Sequence, residues 1–327
     1  MYLSIIHPYV FDSFITVKEF VSEESDPPAN WKQDKWHNPV LSLYEEFNLQ
    51  NKYQVEASQA NELVPDSRSL TPEKTALETV QAIKSAKNDL KFDHLIYCHE
   101  TVFPSFFLNP SLYLKKMANL KQTLPFSVTL CGSSAFPVAL RMLKSLYTDN
   151  PLNPSLIVTS DKVSYPQKRT FFESNPKGDA SVSVVISPTL GDWKVCGVSF
   201  DRIAVSKQPN SWNNTDYLQN EDQLVSGIMN KVHDLLKESG LSLGDLNLLV
   251  IQNLSKRFYE KMGDFVGNAC EVYTRSHYAP NCNLLSSDSL MTFSEVCKKR
   301  SFKKDQYVLL ITAGPISSYG LILLKKR

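Results

Sequence analysis

The chain has 327 residues, 42% of them apolar and 21% charged, enough for one large globular domain or two fused ones with a sizeable core. A formal net charge of +1 excludes a general electrostatic pull toward nucleic acid or an anionic membrane, so any anion site must be local. No apolar run approaches the roughly 20 residues needed to cross a bilayer, and residues 1–10 lack the basic start and small-residue cleavage site of a signal peptide, so a cytoplasmic protein is expected.

Residues 3–10 read as a first strand. Residues 22–38 are polar and carry Pro27, Pro28, Trp31 and Trp36, a loop or lid rather than core. A helix opens near Thr71, which can cap it, with Pro72 at the first helical position and Glu73 at the positive end. Ala76, Val80 and Ile83 then recur at helical spacing, and FDHLIYC (92–98) follows as a short apolar strand. Residues 111–120 read as helix and 126–130 as strand. That strand runs into CGSS (131–134) and a helix over 134–147. SLIVTS (155–160) is the next strand, and ASVSVVIS (180–187) alternates as a half-buried strand should.

The Asn-rich polar stretch 207–220 is the expected seam, dividing the chain into 1–206 and 207–327. Residues 222–239 form a long helix ending at Gly240, a natural C-cap. Strand 248–252, helices 259–267 and 291–299, and strands 307–312 and 320–324 complete the second part. Helix–loop–strand thus occurs at 71–98 and again at 222–252, which suggests duplication and a layered α/β fold.

The six cysteines are Cys98, Cys131, Cys196, Cys270, Cys282 and Cys297. They show no zinc spacing and are too sparse for a disulfide framework. The six histidines form no HxxxH or HxH pair, so no metal site is expected. The segment that carries chemistry is FSVTLCGSSAFPVALRML (126–143), a strand turning sharply into a helix through small residues. Such an elbow exposes a nucleophile at a helix N-terminus, where free amides and the dipole depress a thiol's pKa and stabilise an oxyanion.

Six segments, in order, resemble the ketoacyl-ACP synthase III branch of the thiolase superfamily. FDHLIYCHETVFPS (92–105) resembles the strand before the family's dimer-interface segment, in which FPSFFL (103–108) would be buried against a partner. FSVTLCGSSAFPVAL (126–140) resembles the nucleophile strand and elbow, and SLIVTSDKV (155–163) the next strand. KGDASVSVVIS (177–187) is similar to the Gly-Asp-Gly-Ala strand, ESGLSLGDLNLLVIQN (238–253) to the run into the family's His, and LLITAGPISSYGLILL (309–324) to the Gly-rich C-terminal loop.

The resemblance implies a thiolase fold, two similar α/β halves in an α-β-α-β-α core, and a Cys-His-Asn triad. The triad is altered here. Helix register puts Ser133 at the Cys position, with Cys131 as the alternative. Gln252 stands at the His position, and Asn283 at the Asn position, preceded by Cys282 in place of glycine. His277 reads as a surface residue. Without the His, decarboxylative condensation is impaired, and a Ser nucleophile still needs a base that the sequence does not reveal. Trp31, with Lys32 and Lys35, lies where the family places a Trp on the coenzyme A adenine, although the family's Gly-Ile-Arg motif is absent. Lys256 and Arg257 either meet an acyl carrier protein or form a solvated helix face.

Two functions follow from the resemblance. One is acyl transfer or condensation from an acyl-coenzyme A or acyl-carrier-protein thioester, in fatty-acid-like, polyketide or specialised metabolism, with Ser133 or Cys131 as acyl acceptor and no permanently bound cofactor. The other is a non-catalytic subunit that pairs with and shapes an active ketosynthase, as homodimer or heterodimer.

Overall fold

A strand covered on both faces must supply apolar residues to two different neighbours in strict alternation. The computed structural model shows this in the strands Ser155–Asp161, Ala180–Ser187, Leu246–Ile251 and Tyr307–Ala313. It describes all residues except 20–60, 68–69, 88–89, 102–108, 148–152, 164–168, 206, 208 and 317. The expected lid at 22–38, with Trp31, Lys32 and Lys35, and the FPSFFL segment lie outside the described residues.

In chain order the elements are β1 (Tyr2–Tyr9), β2 (Phe14–Thr16), β3 (Leu63–Pro65), α1 (Pro72–Ala86), β4 (His94–Cys98), α2 (Pro110–Met117), β5 (Leu124–Val128), α3 (Ala135–Leu146), β6 (Ser155–Asp161) and β7 (Ala180–Ser187). Then come β8 (Trp193–Arg202), α4 (Asn214–Glu238), β9 (Leu246–Ile251), α5 (Lys256–Val266), β10 (Glu271–Tyr273), α6 (Asp288–Lys299), β11 (Tyr307–Ala313) and β12 (Ser318–Lys326). Strands β2 and β3 pair separately; the others run β10-β9-β11-β12-β8-β1-β7-β6-β4-β5. Outward from the middle, β1-β7-β6-β4-β5 on one side and β8-β12-β11-β9-β10 on the other follow one pattern. By strand order the second set opens with Trp193, ahead of residue 207.

Side chains sort into three large apolar clusters that define five layers, with a small fourth of Phe171, Trp212 and Tyr217. Ile96, Ile157, Val182 and Val184 of the first set and Leu248, Val250, Val308 and Ile322 of the second face a central layer. That layer is made by Ala135, Phe136, Ala139, Leu140 and Leu143 of α3 and Leu290, Phe293 and Val296 of α6. The alternate residues Leu95, Tyr97, Leu156 and Val158 face α1 and α2. Leu249, Ile251, Leu309 and Leu321 face α4 and α5. The architecture is therefore α-β-α-β-α. No helix among the described residues is long and apolar enough to cross a membrane.

Several boundaries differ from the sequence expectation. Strand β5 stops at Val128, and Thr129 and Leu130 turn outward, Leu130 in the left-handed region at φ 62°. The polar stretch 207–220 already starts α4: Asn213 and Asp216 form a reciprocal capping box, and Tyr217 and Asn220 are buried. Asn-rich composition here marks a cap rather than a linker. Strand β8 is half-buried, and its alternation is broken by Gly197, where a Cβ would come within 2.6 Å of Leu235 Cδ1 on α4. Close packing of α4 on β8 thus costs the strand its sequence signature.

Strands β4, β5 and β6 are mutually parallel, as are β9, β10 and β11. The carboxyl ends of parallel strands open onto crevices between connections, where polar groups collect. One buried acid holds the loops there. Asp288 Oδ1 accepts from the Asn253 amide at 2.9 Å, and Oδ2 accepts from the Leu284 amide at 2.8 Å and from Arg275 Nη1 at 3.0 Å. Arg275 is equally buried and also donates to the carbonyls of Ala279 and Cys282. Asp288 thereby fixes the immediate neighbours of Gln252 and Asn283. Asp288→Ala strands the Arg275 charge in the interior, and a loss of about 3–5 kcal/mol is expected in chemical denaturation. An unchanged midpoint and slope would show that the loops are held without it.

Candidate active site

The elbow after β5 is built from conformations and spacings that ordinary side chains resist. Gly132 sits at φ +54°, and a Cβ there would lie 2.3 Å from Ser318 Oγ. Residues Gly132–Ser134 form a single 3-10 turn that feeds α3. On the other side Gly320 admits Pro137 of α3: a Cβ would lie 2.5 Å from its Cγ. The start of β12 therefore presses directly on the elbow, and Ser133 is carried into the interior with no exposed surface.

Ser133 Oγ donates to Glu100 Oε2 at 2.7 Å and accepts from Gln252 Nε2 at 3.2 Å. The Gln252 amide has one orientation only, because its Oε1 accepts from the Ala313 backbone N–H at 2.9 Å. Its Nε2 is consequently turned to Asn283 Oδ1 at 2.8 Å, the Leu285 carbonyl at 3.2 Å and Ser133. Asn283 Oδ1 also takes the Leu285 amide at 2.9 Å. Gly314, next along from β11, packs so closely that a Cβ would lie 3.3 Å from Ser133 Oγ and 3.0 Å from Ser318 Oγ. Asn220 of α4 holds this loop by donating Nδ2 to the Pro315 carbonyl at 3.1 Å.

Glu100 lies just past β4 and is half-buried. Its carboxyl is pushed up to about 7, first by loss of water and then by Asp161, against the opposing effects of the Ser133 hydrogen bond and Lys177. Asp161 ends β6. Its Oδ1 accepts from the amides of Glu100 and Thr101 at 2.7 and 2.8 Å, and its Oδ2 from Ser286 N at 3.1 Å and from the Ser286 hydroxyl. Lys177, just before β7, is half-buried too. Burial holds its ammonium below the ordinary value, while Glu100 and Asp161 act the other way. A hydroxyl paired with a carboxylate near neutrality, at a helix N-terminus, can be deprotonated as it attacks an electrophile.

Of the residues singled out in the sequence, Ser133, Gln252 and Asn283 come together in one hydrogen-bonded chain. Cys131 does not join it: its thiol donates to the Thr129 carbonyl at 3.4 Å, and burial pushes it up despite Arg202. His277 is exposed, with its backbone N–H on Glu295. Arg257 is tied to Glu221 and Asp222, while Lys256 extends into solvent beside Glu260. Glu100 and Lys177 were not anticipated. The available signal for Glu100 was a carboxylate two residues beyond the strand that neighbours the elbow strand, where parallel strands deliver their C-terminal residues to one crevice.

No protein-family profile matches the chain, and no curated protein sequence matches it. Solved structures do. It superposes on FabH, the 3-oxoacyl-(acyl carrier protein) synthase III of Pseudomonas aeruginosa PAO1, at 13% identity and TM-score 0.70, covering 99% of this chain and 98% of that one. A similar match is ChlB3, described as an acyltransferase, at 15% identity and TM-score 0.70, covering 99% and 97%. OleA of Xanthomonas campestris gives 12% identity and TM-score 0.71, also over 99% and 97%. The fold is the thiolase fold. At these identities the likeness concerns the fold, and within that thiolase fold the elbow serine, the glutamine and Glu100 are properties of this chain.

The raised Glu100 carboxyl has a consequence for stability. A carboxyl whose folded-state pKa lies above its unfolded value contributes stability that is fully present below the unfolded value and lost as pH rises through about 7. Glu100→Gln removes that loss while keeping an acceptor for Ser133. The variant is expected to gain in melting temperature over the parent at about pH 8, with the gain shrinking toward about pH 5. A constant difference across that range would place the Glu100 carboxyl at its ordinary value.

Proposed function

We propose that the chain is an acyltransferase that forms a Ser133 ester from an acyl thioester, with Glu100 as general base. The observation that carries this reading is the 2.7 Å hydrogen bond from Ser133 Oγ to a carboxyl brought to about 7. The Ser133 proton passes to the Glu100 carboxylate as Oγ attacks the thioester carbonyl. The carbon–sulfur bond then breaks, and Glu100 returns the proton to the departing thiolate. An amine or hydroxyl acceptor next gives its proton to Glu100, attacks the ester carbonyl and takes the acyl group, and Ser133 recovers its proton. Gln252 cannot act as base. It holds the hydroxyl through Nε2 and is itself held by Asn283 and Ala313. The substrates are acyl-coenzyme A or an acyl carrier protein, and no permanently bound cofactor takes part. Decarboxylative condensation is the less suited reaction, since Gln252 replaces the imidazole that would share the enolate charge.

A second reading rests on a different observation. Ser133 has no exposed surface and its lone pair is already engaged by Gln252, an arrangement suited to a subunit that pairs with an active ketosynthase-like partner. Among the described residues strand β5 is the last in the sheet, Leu124 on it and Leu130 just past it are 57% and 84% exposed, and an edge of this kind suits pairing with a second subunit.

Intact-protein mass after exposure to acyl-coenzyme A and acyl-carrier thioesters separates the two. The acyltransferase forms an adduct that persists in Cys131→Ala, is lost in Ser133→Ala and Glu100→Gln, and accumulates faster as pH rises through about 7. An adduct lost in Cys131→Ala instead reassigns the nucleophile. A folded chain that takes no acyl group, and copurifies from its source with a ketosynthase-like protein, supports the subunit reading.

A further inference from the structure

Lys177 is a cation placed with more care than a surface lysine needs. Its backbone N–H donates to the Arg169 carbonyl at 2.7 Å, and its own carbonyl accepts from Arg169 Nη1 at 3.1 Å. Arg169 is fully buried and clamped between Asp66 and Asp179 at 3.2 and 3.0 Å. On the opposite side the strand segment around Lys177 bridges to Asn283: the Gly178 amide donates to the Asn283 carbonyl at 3.0 Å, and the Asn283 amide donates to the Pro176 carbonyl at 2.9 Å. Lys177 is therefore pinned next to a member of the Ser133–Gln252–Asn283 chain.

The ammonium end has no such commitment. Nζ lies 6.0 Å from the centre of the Phe171 ring, and among the described residues it makes no hydrogen bond or ion pair. The acids within its electrostatic reach are Glu100 and Asp161. Asp161 is already supplied by the amides of Glu100, Thr101 and Ser286 and by two hydroxyls, and Glu100 is engaged by Ser133. A half-buried ammonium that makes no hydrogen bond or ion pair among the described residues has lost part of its hydration, and an arriving anion would compensate for it.

We infer that Lys177 recognises a carboxylate on one of the two reactants at this site. The inference deepens the acyl-transfer reading and rests on it for the word reactant. A carboxylate can come from either of two sources: the far end of a dicarboxylic acyl group, or an acceptor that is itself an acid, such as a hydroxy acid. Either would pair with Nζ while the reacting carbon or oxygen lies toward Ser133 and Glu100. Phe171 beneath the ammonium supplies an apolar floor that strengthens the pair by excluding water.

The test is equilibrium binding by calorimetry to the Ser133→Ala protein, in which thioesters stay intact, at about pH 6 so that the Glu100 carboxyl is mostly neutral. The donor arm compares succinyl-coenzyme A with butyryl-coenzyme A, and the acceptor arm compares 3-hydroxybutyrate with 3-hydroxybutyramide. In one arm the acid is expected to bind roughly tenfold more tightly than its neutral partner, about 1.4 kcal/mol. The arm that shows it names the source. Adding Lys177→Met should bring the ratio near one, and Lys177→Arg should restore most of it. Equal binding within both pairs overturns the inference, whether or not Lys177→Met folds, and so does a preference that survives that change. Failure of the acyl-transfer reading shows separately, as the absence of a Ser133 adduct on the natural chain.

Discussion

Two helices between the two halves of the ten-stranded sheet decide where polar groups collect in this molecule. Helices α3 and α6 fill the central layer, and each begins beside the carboxyl ends of one set of parallel strands. Packing both into one apolar layer forces the two sets of strand ends to face each other. The polar residues that follow those strands then have nowhere to go but into a shared, mostly buried space, where each needs a partner. Glu100 from β4, Ser133 from the elbow, Asp161 from β6, Gln252 from β9 and the Ala313–Gly314 turn from β11 meet there for that reason.

The close approaches that allow this are paid for at a few glycines. Gly132 yields to Ser318, Gly320 to Pro137 and Gly314 to Ser133. None of these is a loop glycine kept for flexibility. Each removes a side chain at a point where the backbone meets a serine hydroxyl or a proline ring. The buried acids serve the same end from beneath: Asp288 holds Asn253 and Leu284, and Asp161 holds Glu100, Thr101 and Ser286. The Ser133 hydroxyl thus rests on a scaffold of satisfied carboxylates, while Glu100, with fewer hydrogen-bond donors, has its carboxyl pushed up to about 7.

Gln252 sets much of what the site can do. The amide cannot exchange a proton near neutral pH, yet it keeps a hydrogen bond to the hydroxyl and to Asn283. On the other side of Ser133 the hydroxyl donates to the carboxyl of Glu100 at 2.7 Å. Lys177, whose backbone bridges to Asn283, adds a cation within electrostatic reach of Glu100 and Asp161.

Much of the fold could be read from the sequence because period-two and helical patterns are local: the strands at 92–98, 155–160, 180–187 and 307–312, and the helices opening at Thr71 and closing at Gly240, need no knowledge of their neighbours. Ser133, Gln252 and Asn283 were singled out through the resemblance to ketoacyl-ACP synthase III rather than by local pattern, and the structure links them in one hydrogen-bonded chain. What escaped was decided by contacts distant in the chain. Strand β8 is disguised by a glycine that serves α4, and the start of α4 by an Asn that serves as its cap. The choice of Ser133 over Cys131 as the inward residue depends on a left-handed Gly132 that the sequence permits but does not require. Glu100 and Lys177 lie within segments singled out by resemblance, but nothing in those segments marked either side chain as part of a site. Their roles exist only because 33 residues separate Glu100 from Ser133 in sequence while 2.7 Å separates them in space, and because burial there, which no local pattern encodes, sets the charge each can hold.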